Sequence, residues 1–473
     1  MLNRNQLCIT FFIFLFSISA YGNAEQTSTL SDQKDVEVTV YNSNLALVKD
    51  VRDIKLNVGR VSLRFMDIAS RINPKSVQIK SLSQPKKLEV LEQNYEYDLM
   101  SYSKLMDKYI GKKVKLLRRN EFKETSEIVQ AILLSNNNNQ PIYKIDNEIY
   151  LGYSGRVILP EIPENLIATP TLVYLLDNKT DKEHKIQVSY LTNDMNWSAD
   201  YVMVVSLDDK SSDLNGWVTI NNRSGATYRD AKLKLIAGEV HRLEGEKLQR
   251  IYAAKAGSQT PKPQFKEEEF FEYHIYTLNR RSNIKNNQEK QIQLLESTNI
   301  PVKKELIVYG NQGYFTRRYT EKIPKQDVFV YINFKNSKSN KMGIPLPAGT
   351  IRIYKPDKEN ALQFIGEDRI DHTPIDEEVK IRVGKAFDVV CERVQTDYER
   401  ISDKVYEIEW EISIRNHKKE EVEVGLIEPL FGDWKIIKSN VQYKKIDAHT
   451  IRFNVQVPSN GEIKVNYRVR VSF

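Results

Sequence analysis

Cysteine is nearly missing from this chain: of 473 residues only Cys8 and Cys391 carry a thiol. That excludes a disulfide framework, a CxxC redox pair, a zinc knuckle and covalent haem attachment. Cys391 lies in Asp388-Val389-Val390-Cys391-Glu392, a strand-like stretch where a thiol reads as a small buried hydrophobe. Beyond the first two dozen residues no segment is apolar enough to cross a membrane as a helix. Charge of one sign is scarce, since 70 basic against 63 acidic residues leave only a formal +7 on a large surface. Basic runs such as Lys112-Lys113-Val114-Lys115 are short and isolated, which argues against nucleic acid as a partner.

Motifs for chemistry are lacking too. His184, His241, His274, His372, His417 and His449 are scattered, and none is paired at the i, i+4 spacing of zinc-binding helices. Ser154 and Ser224 adjoin glycines, but neither sits in a GxSxG elbow, and phosphate-cradling loops are absent. No cofactor is expected.

What is present is β-forming. The 25 Tyr and 17 Phe, with many Val and Ile, suit half-buried pleated surfaces, while 28% charged residues keep the outside wet. The length favours about three domains. At the start, Arg4 precedes an apolar stretch from Leu7 to Ala20 that is short for a bilayer span and reads as a cleavable signal peptide. Small residues allow cleavage after Gly22 or after Ala24, the second being favoured. The expected destination is the periplasm or cell envelope of a Gram-negative bacterium.

Alternating apolar and polar residues then predict a succession of β domains: 25–95, a small barrel-like domain at 96–163, a sandwich region at 164–374, and an immunoglobulin-like sandwich at 375–473. Two features stand out on the way. One helix is expected between a Ser101 or Ser103 cap and Gly111, and residues 242–266 lose periodicity and read as a mobile loop. The clearest strands come last, where Tyr406, Ile408, Trp410, Ile412 and Ile414 alternate with Glu407, Glu409, Glu411 and Ser413. Asp213-Leu214-Asn215-Gly216 and Asn222-Arg223-Ser224-Gly225 read as turns. In the first, Ser211, Asp213, Asn215 and Gly216 are spaced like a calcium loop, but Asn222 stands where a bidentate Glu is needed, so a plain turn is preferred.

Whole phrases resemble a family. They include Trp197-Ser198-Ala199-Asp200-Tyr201, Gly216-Trp217-Val218, Ala237-Gly238-Glu239-Val240, Phe271-Glu272-Tyr273-His274, Leu346-Pro347-Ala348-Gly349 and Phe364-Ile365-Gly366-Glu367-Asp368. Over roughly residues 165 to 473 the chain resembles exported bacterial proteins of unknown function whose C-terminal region is shared with mucoidy-inhibitor-A-like proteins. The resemblance implies a β-rich envelope protein and carries no substrate, cofactor or catalytic residue. The heptad coiled coil of the longer mucoidy-inhibitor type is missing here, so a role in mucoidy control does not transfer.

Two stretches remain as candidate sites. Glu367, Asp371 and His372 form the densest polar cluster, able in principle to act as an acid/base pair or to hold a hard cation; a charged turn is the plainer reading. Phe271, Tyr273 and Tyr276 belong to an aromatic run that could stack on a sugar or a peptide, although a core strand explains it as well. The expectation is therefore a non-enzymatic binding or scaffolding protein whose partner is an envelope protein or glycan. Its alternatives are an envelope glycan or peptide hydrolase using Glu367 and Asp371, and an outer-membrane-associated β protein.

Overall fold

The computed structural model describes residues 25–120, 125–153, 155–163, 166–238, 264–270 and 273–472. Residues 1–24, where a signal peptide is expected, Ser154, most of the 242–266 stretch, Phe271 and Phe473 lie outside that set. Among the described residues the architecture is mainly β, with a single α-helix at Tyr102–Lys108. No described helix is long and apolar enough to cross a membrane. The chain divides into two compact units, 1–36 with 49–190 and 37–48 with 191–473.

In the first unit a sheet forms in the order Glu25–Ser28, Gly59–Met66, Thr171–Asn178, Leu88–Glu96. Val61, Leu63 and Phe65 alternate inward as expected and are fully buried with Leu172, Tyr174 and Leu176 of the neighbouring strand. The expected closure of this domain at residue 95 is corrected, because Thr171–Asn178 pairs with both Gly59–Met66 and Leu88–Glu96, and His184–Asn193 pairs with Gln78–Ser81. Alternation reports which face of a strand is buried, and it is silent about which distant strand lies alongside.

Inside this unit Arg52 is wholly buried. Its guanidinium donates to Asp50 Oδ2 at 2.9 Å and to the carbonyls of Ser28 and Met66, and it lies 3.6 Å over the Phe65 ring. Such a charge survives burial only when its donors are satisfied.

The small second sheet of the unit runs Glu148–Leu151, Ile142–Ile145, Thr125–Ser135, Lys113–Asn120, Arg156–Ile158. The helix packs against its inner face, placing Met106 and Tyr109 among Val114, Leu116, Ala131, Leu133, Tyr143 and Ile145. Ser101 caps it by accepting from the Lys104 amide at 3.3 Å, and Gly111 ends the connection at φ +80°.

The second unit holds three bodies of sheet. Glu37–Tyr41 runs parallel to Lys232–Ile236. A five-stranded sheet follows the order Gln288–Pro301, Ser211–Asn222, Met195–Val205, Gly349–Pro356, Leu362–Ile370. Here the expected turn at Asp213–Gly216 is overturned. Ser211–Asn222 is one continuous strand with Leu214 buried and bulges opposite Ser212 and Gly216. Gly216 serves close approach, since a Cβ there would meet Leu295 Cγ at 3.0 Å and the Tyr201 ring at 3.2 Å. The loop resemblance to a calcium site ends with it.

The last body is a two-sheet sandwich. Six strands run Glu378–Lys385, Phe329–Lys335, Lys303–Tyr309, Val422–Pro429, Thr450–Val457, Tyr443–Asp447, and five run Ile323–Gln326, Val389–Ser402, Val405–Asn416, Gly461–Ser472, Asp433–Ser439. One core joins them: Ile408, Trp410, Ile412 and Ile414 from one sheet meet Val424, Leu426, Phe453 and Val455 from the other. The boundary expected at 374/375 is corrected by the same pairings. Lys303–Tyr309 lies parallel to Val422–Pro429, and Ile323–Gln326 pairs with Val389–Ser402, so the sandwich draws strands from residue 303 onward.

Candidate binding site

The polar cluster around Glu367 lies on a strand instead of a turn, which separates its members. Glu367 is exposed and reaches Arg352 Nε at 3.5 Å across the sheet, and Arg352 in turn reaches Asp200 at 3.4 Å. Asp368 accepts from the amides of Arg382 and Arg369 at 2.7 and 2.9 Å. About 13 Å of extended chain separates Glu367 from Asp371, at ~3.3 Å per residue. His372 is engaged elsewhere: its Nδ1 accepts from the Ala348 amide at 3.1 Å, and burial depresses its pKa, so the ring stays neutral. No group of three or more His, Cys, Asp or Glu among the described residues could hold a metal ion.

The aromatic run divides as well. Phe271 lies outside the described residues. Tyr273 is half-buried with its ring against Gly238, where a Cβ would fall 2.5 Å from Cδ1 and φ is +128°. Tyr276 is a core residue, 1% exposed, donating to the Pro345 carbonyl at 2.9 Å and standing edge-on to Trp197. It is unavailable to a partner, and the partner-binding expectation is corrected there. The sequence hides this, because an aromatic at either parity of a strand looks the same.

Sequence reasoning missed the most unusual constellation. Val389, Cys391 and Arg393 share the inward parity of their strand, as Val424, Leu426 and Glu428 do on theirs, so a cation and an anion point into the core of the sandwich. Arg393 and Glu428 form a bidentate pair with both side chains fully buried. Around the guanidinium stand Gln326 Oε1 at 3.3 Å, the Tyr467 hydroxyl at 3.4 Å, and the rings of Tyr314 and Trp410 at 4.7 and 5.2 Å. Burial pushes the neighbouring Cys391 thiol up to about 12. The signal available in sequence was parity: an Arg where the alternation demands an apolar residue.

The turn whose Tyr314 ring lies over Arg393 also borders a surface pocket of about 420 Å³ lined by Gln312, Gly313, Thr316, Tyr406 and Phe431. One short turn builds both features. Asn311 caps the 3-10 helix Gln312–Phe315 by accepting from Gly313 N at 2.8 Å, which holds Gln312 and Gly313 at the rim. The same turn sends Tyr314 onto Arg393 and buries Phe315 completely. Phe431 follows buried Leu430 and is itself 47% exposed, while Tyr406 donates to the Asp403 carbonyl at 3.2 Å. Two aromatic side chains facing an amide and a hydroxyl suit a sugar ring or a peptide side chain.

No curated protein matches the chain. A family described as a domain of unknown function, DUF4139, matches residues 186–473, a span that includes the Arg393–Glu428 pair and the pocket but not the small sheet of 113–158. The chain belongs to the DUF4139 family.

Proposed function

We propose that this protein is exported and acts without catalysis, binding or scaffolding a component of a Gram-negative cell envelope through the C-terminal sandwich. The observation that carries the reading is the pocket where Tyr406 and Phe431 meet the turn whose Tyr314 ring packs on the buried Arg393. An open surface pocket with a few polar groups and exposed aromatics is a form that binding sites take. Arg4 followed by the apolar stretch Leu7 to Ala20, ahead of the described residues, is the reason for placing it outside the cytoplasm.

The test is photo-crosslinking in cells, with a photoreactive residue at position 431 and a control at exposed position 358. The expected result is a discrete protein or glycan adduct from 431 alone, recovered in the periplasmic or envelope fraction. No adduct, or the same adducts from both positions, overturns the reading.

A further inference from the structure

The small sheet of 113–158 has one covered face and one bare face. Its inner side chains, Val114, Leu116, Ala131, Leu133 and Tyr143, meet the helix. An outer face that stands in water is normally polar, and this one mixes large aliphatic side chains with its cations. On the central strand Ile128, Gln130, Ile132 and Leu134 point outward, opposite in parity to the buried Ala131 and Leu133. Register extends that row sideways: Ile128 is opposite Leu117, Ile132 opposite Lys113 and Lys144, and Lys115 lies between Gln130 and Ile158. The edge strand completes the patch, with Ile149 opposite Lys144 and Leu151 opposite Ile142. Directly opposed side chains in neighbouring strands touch, so these residues form one continuous surface.

Exposure is high where it matters. Ile128, Ile149 and Leu151 are 58%, 65% and 84% accessible, well beyond the partial cover of a core edge. The charges on this face are all of one sign: Lys113, Lys115, Lys144 and Arg156 share it, and no carboxylate does among the described residues. None of the four has an ion-pair partner among the described residues. Elsewhere in the same chain Arg64 and Lys104 are engaged by carboxylates, at 2.6 Å in each case. Five strands at ~4.8 Å spacing make the face about 19 Å wide.

We propose that this face docks on an anionic lipid surface, with Ile128, Ile149 and Leu151 entering the headgroup boundary and the four cations meeting phosphate groups. Exposed apolar side chains set among unpaired cations are the combination that partitions to such an interface. A polyanion without acyl chains, a glycan or a nucleic acid, leaves the isoleucines in water. A second copy of the same face brings four cations against four. The surface lies outside the family-matched residues and owes nothing to the pocket, so the two proposals stand or fall separately.

The experiment is co-sedimentation of the full chain with vesicles of phosphatidylglycerol and phosphatidylcholine, and with phosphatidylcholine alone. Two double variants, Ile149→Asp with Leu151→Asp and Lys113→Glu with Lys144→Glu, change only exposed positions, and circular dichroism confirms their fold. Every variant shares residues 1–24, so differences among them report the face. The wild type is expected to sediment with the anionic vesicles at least ten-fold more than with the neutral ones, and each variant to lose at least ten-fold. Absence of binding by the wild type, or undiminished binding by both variants, overturns the proposal. Capture of an acidic protein through this face without vesicle binding overturns it too.

Discussion

Arg393 and Glu428 meet in the interior of the C-terminal sandwich with neither side chain exposed. Withdrawing two charges from water costs several kcal/mol per ion, and the bidentate geometry with Gln326 and Tyr467 in attendance offsets it. Removing one partner leaves the other uncompensated. Glu428→Ala is therefore expected to destabilise the protein by about 3–5 kcal/mol, whereas Arg393→Met with Glu428→Leu costs less than Glu428→Ala alone. Denaturant unfolding of the three proteins checks this, and a double variant as unstable as the single one would falsify the account.

Gly310 makes the same pair visible from the backbone. A Cβ on it would overlap Glu428 Oε2, too near for any side chain. Gly310→Ala must then displace the carboxylate, at a cost of about 1–3 kcal/mol. Its effect and that of Glu428→Ala should fall short of additive, since both spoil one contact. A double-mutant cycle measures the shortfall, and strict additivity would show that Gly310 acts independently.

Cys391 is expected to be chemically silent. Burial both hides the sulfur and pushes its pKa up to about 12, so almost no thiolate exists near neutrality. At pH 8 iodoacetamide should leave it unmodified in the native protein and alkylate it fully in guanidinium. Rapid native labelling would mean that the sandwich opens far more often than its packing implies.

How much of this was legible beforehand depends on whether the evidence is local. Ile408, Trp410, Ile412 and Ile414 announce a half-buried strand in sequence, and all four are fully buried. Ser101 and Gly111 likewise bracket the helix, because caps and left-handed glycines act within a few residues. Partners are another matter. Nothing in Lys303–Tyr309 says that it lies beside Val422–Pro429, more than a hundred residues on, so the domain limits at 95 and 374 fell in the wrong places. Gly216 misled for a related reason: glycine fits a turn and a crowded strand equally, and only the Tyr201 ring across the sheet tells them apart. The site was hidden more deeply, since Tyr406 and Phe431 stand on separate strands and loops that only the folded sandwich brings to one pocket.

Tyr276 separates a core role from a recognition role. Tyr276→Phe removes a buried hydroxyl that donates to Pro345 O and leaves the ring against Trp197, so a loss of about 0.5–1.5 kcal/mol is expected. Adduct yield from a photoreactive residue at position 431 should not change, because the substitution alters nothing at the surface. Thermal melting and crosslinking together check both halves, and an unshifted melt with lost adducts would return Tyr276 to the binding surface.

His184 gives the first unit a dependence on acid whose sign follows from its hydrogen bonds. Asn178 donates through Nδ2 to the carbonyls of Leu56, Asn57 and Thr180, which turns its Oδ1 toward the imidazole. Nε2 of the ring must then donate to Asn178, and Nδ1 must accept from the Ser81 hydroxyl, each at 2.9 Å. Burial lowers the folded-state pKa below the ordinary histidine value, so the unfolded chain binds the extra proton first. Stability is complete above about pH 6.5, the unfolded value, and drains away as the pH falls from there through the folded pKa. His184→Gln offers one donor and one acceptor without a titrating group, and it should flatten the melting temperature between pH 7 and pH 5 relative to wild type. His372, also depressed by burial, contributes in the same window and is common to both proteins, so the difference between the two curves isolates His184. Parallel curves would assign the whole acid response to other groups.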